Sequence, residues 1–236
     1  MQQLDADVWV AEAPLRFFGL EVGARMTVLR LPDQTLLLHS PIAPTATLVR
    51  EVEALGRVSH LVAPNLLHHL FVGEWQRTRP DVRVYVAPGL EAKRPDLKIA
   101  GVLGDAPEPG WAGTLDQIVV DGYPFANEVV FFHRPSRTLI ATDLAFNVGP
   151  GNAPLTRLAF RLMRSYGRLS PSWIERMLIR DRQTFRRSLE RILEWPFERV
   201  VVAHGAVSET GGRDELVRGY AFILQADRDG ANPGRA

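Results

Sequence analysis

Val58-Ser59-His60-Leu61-Val62-Ala63-Pro64-Asn65-Leu66-Leu67-His68-His69, residues 58–69, decides how the chain reads. Four of the first six residues, Val58, Leu61, Val62 and Ala63, are apolar and the run ends at a proline, which marks a buried strand over Val58–Ala63. Residues 66–79 then carry helical spacing. Two imidazoles therefore stand just past the carboxyl end of a strand. In open α/β sheets, ligands gather at that end.

Two further places repeat this arrangement. A strand over 138–142 leads into Asp143, and an apolar strand over 199–203 leads into His204-Gly205. Each has an ordinary reading on its own. A His pair can cap or pack, an Asp can form a turn, and a His-Gly can report only a tight bend. Their shared position at strand ends argues for one site.

Outward from these places, residues 7–11, 24–31 and 35–39 read as strands, with a turn at Leu31-Pro32-Asp33-Gln34. Residues 41–55 have helical spacing, and 82–87 form another strand. This β-α-β-α-β order predicts adjacent strands with helices outside. Residues 94–117 are rich in Pro and Gly and read as irregular. Strands follow over 117–121 and 128–133, joined to 138–142 by a turn at Arg134-Pro135-Ser136-Arg137. Residues 154–166, 172–179, 181–194 and 213–224 are helical. The polar tail 226–236 is expected to fray.

Composition narrows the chemistry. The 236 residues include no cysteine, so disulfides and thiolate ligands are excluded. A transition-metal site must use carboxylates and the six histidines, at 39, 60, 68, 69, 133 and 204. Hydrophobic residues make up 46%, and no run approaches the roughly 18 apolar residues of a membrane span. The N-terminus lacks a basic and apolar leader, which favours the cytoplasm. The net charge is +1, so no nucleic-acid partner is expected. Residues 155–191, however, hold ten Arg against Glu175, Asp181 and Glu190.

The motifs resemble the metallo-β-lactamase superfamily over residues 5–225. That family's signature runs strand, Thr-His-x-His-x-Asp-His, helix, a Gly-His element, a strand pair ending in Gly-Asp, and a strand ending in His-Gly. Here Ala-Pro-Asn-x-x-His-His occupies residues 63–69, with Gly73-Glu74-Trp75 after it. Asp121-Gly122-Tyr123 stands at the Gly-His element, Thr142-Asp143 at Gly-Asp, and His204-Gly205 at the end. The chain resembles a divergent branch with a reduced metal motif.

The resemblance implies an αββα four-layer sandwich over 1–225, with a basic helical insert at 153–194. Pro64, Leu66 and Tyr123 fall where three family histidines build one metal site, which implies its loss. His68, His69, Asp143 and His204 fall on the other site, implying one divalent ion, zinc or iron, with Asp143 also orienting a water. Four protein ligands on zinc would make a closed, structural-type site, and catalysis would need one left unbound. The implied activity is metal-dependent hydrolysis, and the alternative is an inactive binding or interaction module.

Glu128 and His133 lie on opposite faces of one strand, so at most one can face the site; core or surface roles are expected for both. Glu74 is either solvent-facing or a hydrogen-bond acceptor behind a ligand imidazole. In the insert, Leu155, Leu158, Ala159, Leu162, Met163 and Tyr166 form one helical face, and Arg157, Arg161, Arg164 and Arg168 the other. Such an insert commonly covers the pocket in this superfamily. The apolar face is therefore expected to be buried and some arginines to face a small anionic substrate. The competing destination for residues 155–168 is a membrane surface.

Overall fold

The computed structural model describes residues 1–225, and the tail at 226–236 lies outside the described residues. The strands are β1 (Gln2–Asp5), β2 (Val8–Ala13), β3 (Arg16–Phe17), β4 (Leu20–Glu21), β5 (Ala24–Arg30), β6 (Leu36–His39), β7 (Val58–Ala63), β8 (Arg83–Val86), β9 (Ile99–Val102), β10 (Leu115–Val119), β11 (Val129–His133), β12 (Thr138–Ile140) and β13 (Arg199–Val201). The helices are α1 (Ala46–Glu53), α2 (Val72–Thr78), α3 (Leu90–Lys93), α4 (Pro154–Leu162), α5 (Trp173–Leu178), α6 (Arg182–Leu193), α7 (Gly212–Gly219) and α8 (Ala221–Leu224).

A seven-stranded sheet has the order β1-β2-β5-β6-β7-β8-β9, and a four-stranded sheet the order β10-β11-β12-β13. Alternation along the strands shows how they stack. In β7, Leu61 and Ala63 join a core with Val52 of α1 and Trp75 of α2, while Val62 joins a second core. In β11, Val129 and Phe131 share that second core, while Val130 and Phe132 join a third with Leu189 of α6 and Leu216 of α7. Three apolar layers separated by two sheets make helix, sheet, sheet, helix: the αββα sandwich.

As expected, β6, β7 and β8 are parallel neighbours with α1 and α2 between them in sequence. The irregular stretch at 94–117 is more ordered than its composition suggests, because β9 adds in parallel to the edge strand β8. The helix expected over 66–79 begins only at Val72. Asn65 is the reason. Its Oδ1 accepts the N–H groups of Leu67 and His68 at 2.8 and 2.7 Å, taking donors that a helix start would orient otherwise.

The expected burial of the Leu155–Tyr166 face is corrected by α4. Thr156 and Phe160 point inward, whereas Leu155, Leu158 and Leu162 are 60%, 52% and 73% exposed. The helix is rotated by about a quarter-turn or more from the orientation that its apolar spacing alone favours.

Three histidines lie between the sheets. His39 packs edge-on to Phe131, His60 to Trp111, and the Nε2 atoms of His39, His60 and His133 have no partner among the described residues. Burial disfavours the charged form at each and lowers the pKa, at His39 to about 3. In the unfolded chain His39 titrates near 6.5. Between these values the unfolded state holds the extra proton, so stability falls as pH drops from 6.5 towards 3, by on the order of 5 kcal/mol from this residue. Thermal denaturation over that range should show His39→Leu losing markedly less stability on acidification than the wild type. Parallel pH profiles for the two proteins would contradict an uncharged, buried His39.

Candidate metal centre

Three strand ends meet above the inter-sheet layer. Asp143 follows β12 and is buried; His204 follows β13 and is buried; His68 follows β7 through the Asn65 turn. His68 Nε2 lies 3.2 Å from Asp143 Oδ2, and His204 Nε2 lies 3.5 Å from Asp143 Oδ1. One donor atom from each of the three residues falls within 4.8 Å of the others.

The remaining atoms of these side chains are held from behind. His204 Nδ1–H donates to the Gly23 carbonyl at 2.8 Å, which turns Nε2 towards Asp143. Phe146 stacks on the same ring. His68 Nδ1 lies 2.8 Å from Ser40 Oγ, a hydroxyl able to accept its proton. Ser40 adopts φ of 53°, a left-handed conformation rare outside glycine, at the point where β6 ends. Asn65 Nδ2 donates to Asp143 Oδ2 at 2.7 Å and to Thr142 Oγ1 at 2.9 Å.

Two charged residues fix the loops themselves. The fully buried Glu128 carboxylate accepts the backbone N–H groups of Thr142 and Asp143, so it aims Asp143 from below. This corrects the expectation of a bland role for Glu128, while His133 does stay in the core against Ser136. Arg25 reaches the carbonyls of Val202 and Gly205, one on each side of His204, and pairs with Glu12. Gly205 has φ of 92°, and a Cβ there would lie 2.1 Å from the Asn147 carbonyl oxygen. Only glycine permits that approach.

Electrostatics follow from this packing. Burial would raise the Asp143 pKa, but His68 and His204 outweigh it and hold the carboxyl well below the usual range. Burial would lower that of His204, but Asp143 and the carbonyls at Gly23 and Val22 outweigh it and raise it. Glu128 is pushed up to about 7 by burial and by the Asp143 charge.

His69 is the exception among the four expected ligands. It lines the same cavity as the other three but is not among the convergent donors, and Arg94 donates to its Nδ1 at 3.0 Å and to its carbonyl at 2.9 Å. Burial, Lys93 and Arg94 lower its pKa to about 4, so it is a neutral anchor for Arg94. Ser40 and Arg25 carry no sequence signal of their own, and Asn65 shows only as part of the motif at 63–69. Glu128 carried one: a carboxylate placed immediately before Val129-Val130-Phe131-Phe132 has no solvent to meet.

The three donors open into a cavity of about 500 Å³. Its walls are chiefly apolar and include Leu20, Ile42, Phe71, Phe146, Phe160 and Met163. Tyr123 lines it too, with Ser172 and Glu175, which cap α5 reciprocally. None of the ten insert arginines lines the cavity, contrary to expectation. Arg161 lies over Tyr166, Arg176 and Arg182 over Phe222, and Arg191 pairs with Asp105.

The chain is similar in structure to a metallo-β-lactamase from Pontibacter korlensis, with TM-score 0.65, 15% identity, and coverage of 95% of this chain and 97% of that one. It is similar also to a metallo-β-lactamase from Hirschia baltica, with TM-score 0.61, 10% identity, and coverage of 94% and 95%. A third is the metallo-β-lactamase FIM-1 from Pseudomonas aeruginosa in its mono-zinc form, with TM-score 0.59, 10% identity, and coverage of 98% and 96%. Comparison with curated proteins finds no match. The three convergent side chains His68, Asp143 and His204 form a group that could hold a metal ion. Residues 5–163, which include His68 and Asp143 but not His204, match the profile described as "Domain of unknown function (DUF4336)". The chain therefore belongs to the DUF4336 family and has the metallo-β-lactamase fold.

Proposed function

We propose that this protein is a hydrolase that uses one divalent ion, zinc or iron, held by His68, Asp143 and His204. The observation that carries this reading is the separation of His69 from the other three. Three protein ligands leave a coordination position open, as catalytic sites require, whereas four would close it. Two imidazoles and one carboxylate suit zinc and ferrous iron alike.

The donor set fits such an ion. With bonds of about 2.1 Å, tetrahedral ligand atoms stand roughly 3.4 Å apart. Each imidazole stands at about that distance from a different oxygen of Asp143, 3.2 Å to Oδ2 and 3.5 Å to Oδ1, and one donor atom from each residue lies within 4.8 Å of the others. Both imidazoles have their other nitrogen on an oxygen, which orients the ring and keeps the facing lone pair available. When bound, the ion would act as a Lewis acid and bring the pKa of a water towards about 7.

The chain's own groups supply the rest. Asp143 stays ionised at any working pH, so it serves as a ligand and hydrogen-bond acceptor that orients water, not as a proton donor. Burial and the charges of Glu175, Asp143 and Glu128 raise the Tyr123 pKa, so its hydroxyl remains protonated. It is an O–H donor on the wall for an oxyanion or a departing group. The apolar walls favour a substrate whose body is hydrocarbon or aryl, with the cleaved ester, amide or phosphoester at the Asp143 end.

Metal affinity, measured by competition with a chromogenic chelator, should collapse in His68→Ala and His204→Ala. It should fall about 10–100-fold in Ser40→Ala, which removes a group behind a ligand. His69→Ala should keep wild-type affinity, and a loss equal to that of His204→Ala would restore the four-ligand site. Hydrolysis of a chromogenic aryl-ester panel should require the ion and show the same ranking. In Tyr123→Phe, kcat should fall about 100-fold with metal affinity intact; an unchanged kcat would remove Tyr123 from the chemistry.

A further inference from the structure

Helix α4 turns three different faces outward and inward. Thr156 and Phe160 enter the domain, and Thr156 Oγ1 donates to the Glu21 carbonyl of β4 at 3.0 Å. Leu155, Leu158 and Leu162, spaced i, i+3 and i+7, form a solvent-facing apolar stripe. Arg157 and Arg161 flank that stripe on the same cylinder.

The stripe does not stand alone. The β3–β4 hairpin against which α4 packs presents Phe17 and Phe18, 52% and 91% exposed. Phe18 is held there at φ of 46°, an uncommon conformation for a bulky residue. Leu70, Phe125 and Ile174 are exposed as well, and all five line the cavity mouth. Separate chain segments thus place large apolar side chains around one opening, where a soluble surface normally keeps apolar patches small.

Charge identifies what covers the stripe. Arg157 and Arg161, which flank it on α4, have no acidic partner among the described residues. A second copy of this chain would bring the same cations against them. A surface that is apolar at depth and anionic at its edge satisfies both features.

We propose that this face docks on an anionic lipid bilayer, with the leucines and phenylalanines at the acyl boundary and the Arg157 and Arg161 guanidinium groups, which have no carboxylate partner, on lipid phosphates. No helix among the described residues is long and apolar enough to cross a membrane, so the contact is peripheral. The cavity mouth then opens at headgroup level, and an apolar substrate enters from the lipid side. That last consequence rests on the cavity being the substrate site; the docking does not.

Co-sedimentation of the full chain with vesicles separates the two. The wild type should pellet with phosphatidylglycerol–phosphatidylcholine vesicles and only weakly with phosphatidylcholine alone, and salt should weaken the former. Leu158→Glu/Leu162→Glu should reduce binding about tenfold or more. Arg157→Glu/Arg161→Glu should remove the preference for phosphatidylglycerol. His204→Ala should pellet like the wild type even though it no longer binds metal. Failure to bind phosphatidylglycerol vesicles would overturn the proposal, as would binding indifferent to the leucine variant. So would a dimer in sedimentation velocity that the leucine variant dissociates, because the face would then belong to a second copy.

Discussion

The carboxylate of Asp143 stands between two imidazoles that arrive from different sheets: His68 from the end of β7 and His204 from the end of β13. A buried charge of this kind is tolerable only if it is paired and hydrogen-bonded. Asn65 supplies a donor from one side, and Glu128 fixes the backbone from below. The constraint works in both directions. The carboxylate needs the two sheets stacked in this register, and the stacked sheets bring these strand ends to one point. Arg25 completes the tie, since it projects from the seven-stranded sheet and grips the loop after the last strand of the other.

Much of this was legible in the sequence because it rests on short-range pattern. An apolar strand with a polar residue just past its end appears at Ala63, Thr142 and Ala203; β7 covers the expected residues, while β12 and β13 end two residues sooner, at Ile140 and Val201. The αββα layering follows from the same alternation. His69 was not legible, because its environment is set by Arg94, 25 residues away in the chain. Neighbouring histidines look equivalent in a sequence, yet His68 joins the convergent donors while His69, on the same cavity wall, is held by a guanidinium. Ser40 and Arg25 act through contacts across 28 and 177 residues, which periodicity cannot report.

The insert shows a different limit. Its helix has an apolar face at the right spacing for burial, and the domain buries the neighbouring arc instead. Periodicity states that a stripe exists, not which neighbour receives it. The same element gives Phe160 and Met163 to the cavity and keeps its arginines away from it. The separation gives one helix two roles, an apolar wall for the site and a basic outer surface.

The number and kind of ligands at Asp143 form the central claim, and one combined measurement tests it. Protein purified without added metal should carry about one first-row divalent ion per chain by elemental analysis, and X-ray absorption should show two imidazole nitrogens and one carboxylate from the protein at about 2.0–2.2 Å, completed by solvent oxygen. Three imidazoles, two ions per chain in this pocket, or a chain that holds no such ion even when zinc or iron is supplied would contradict it.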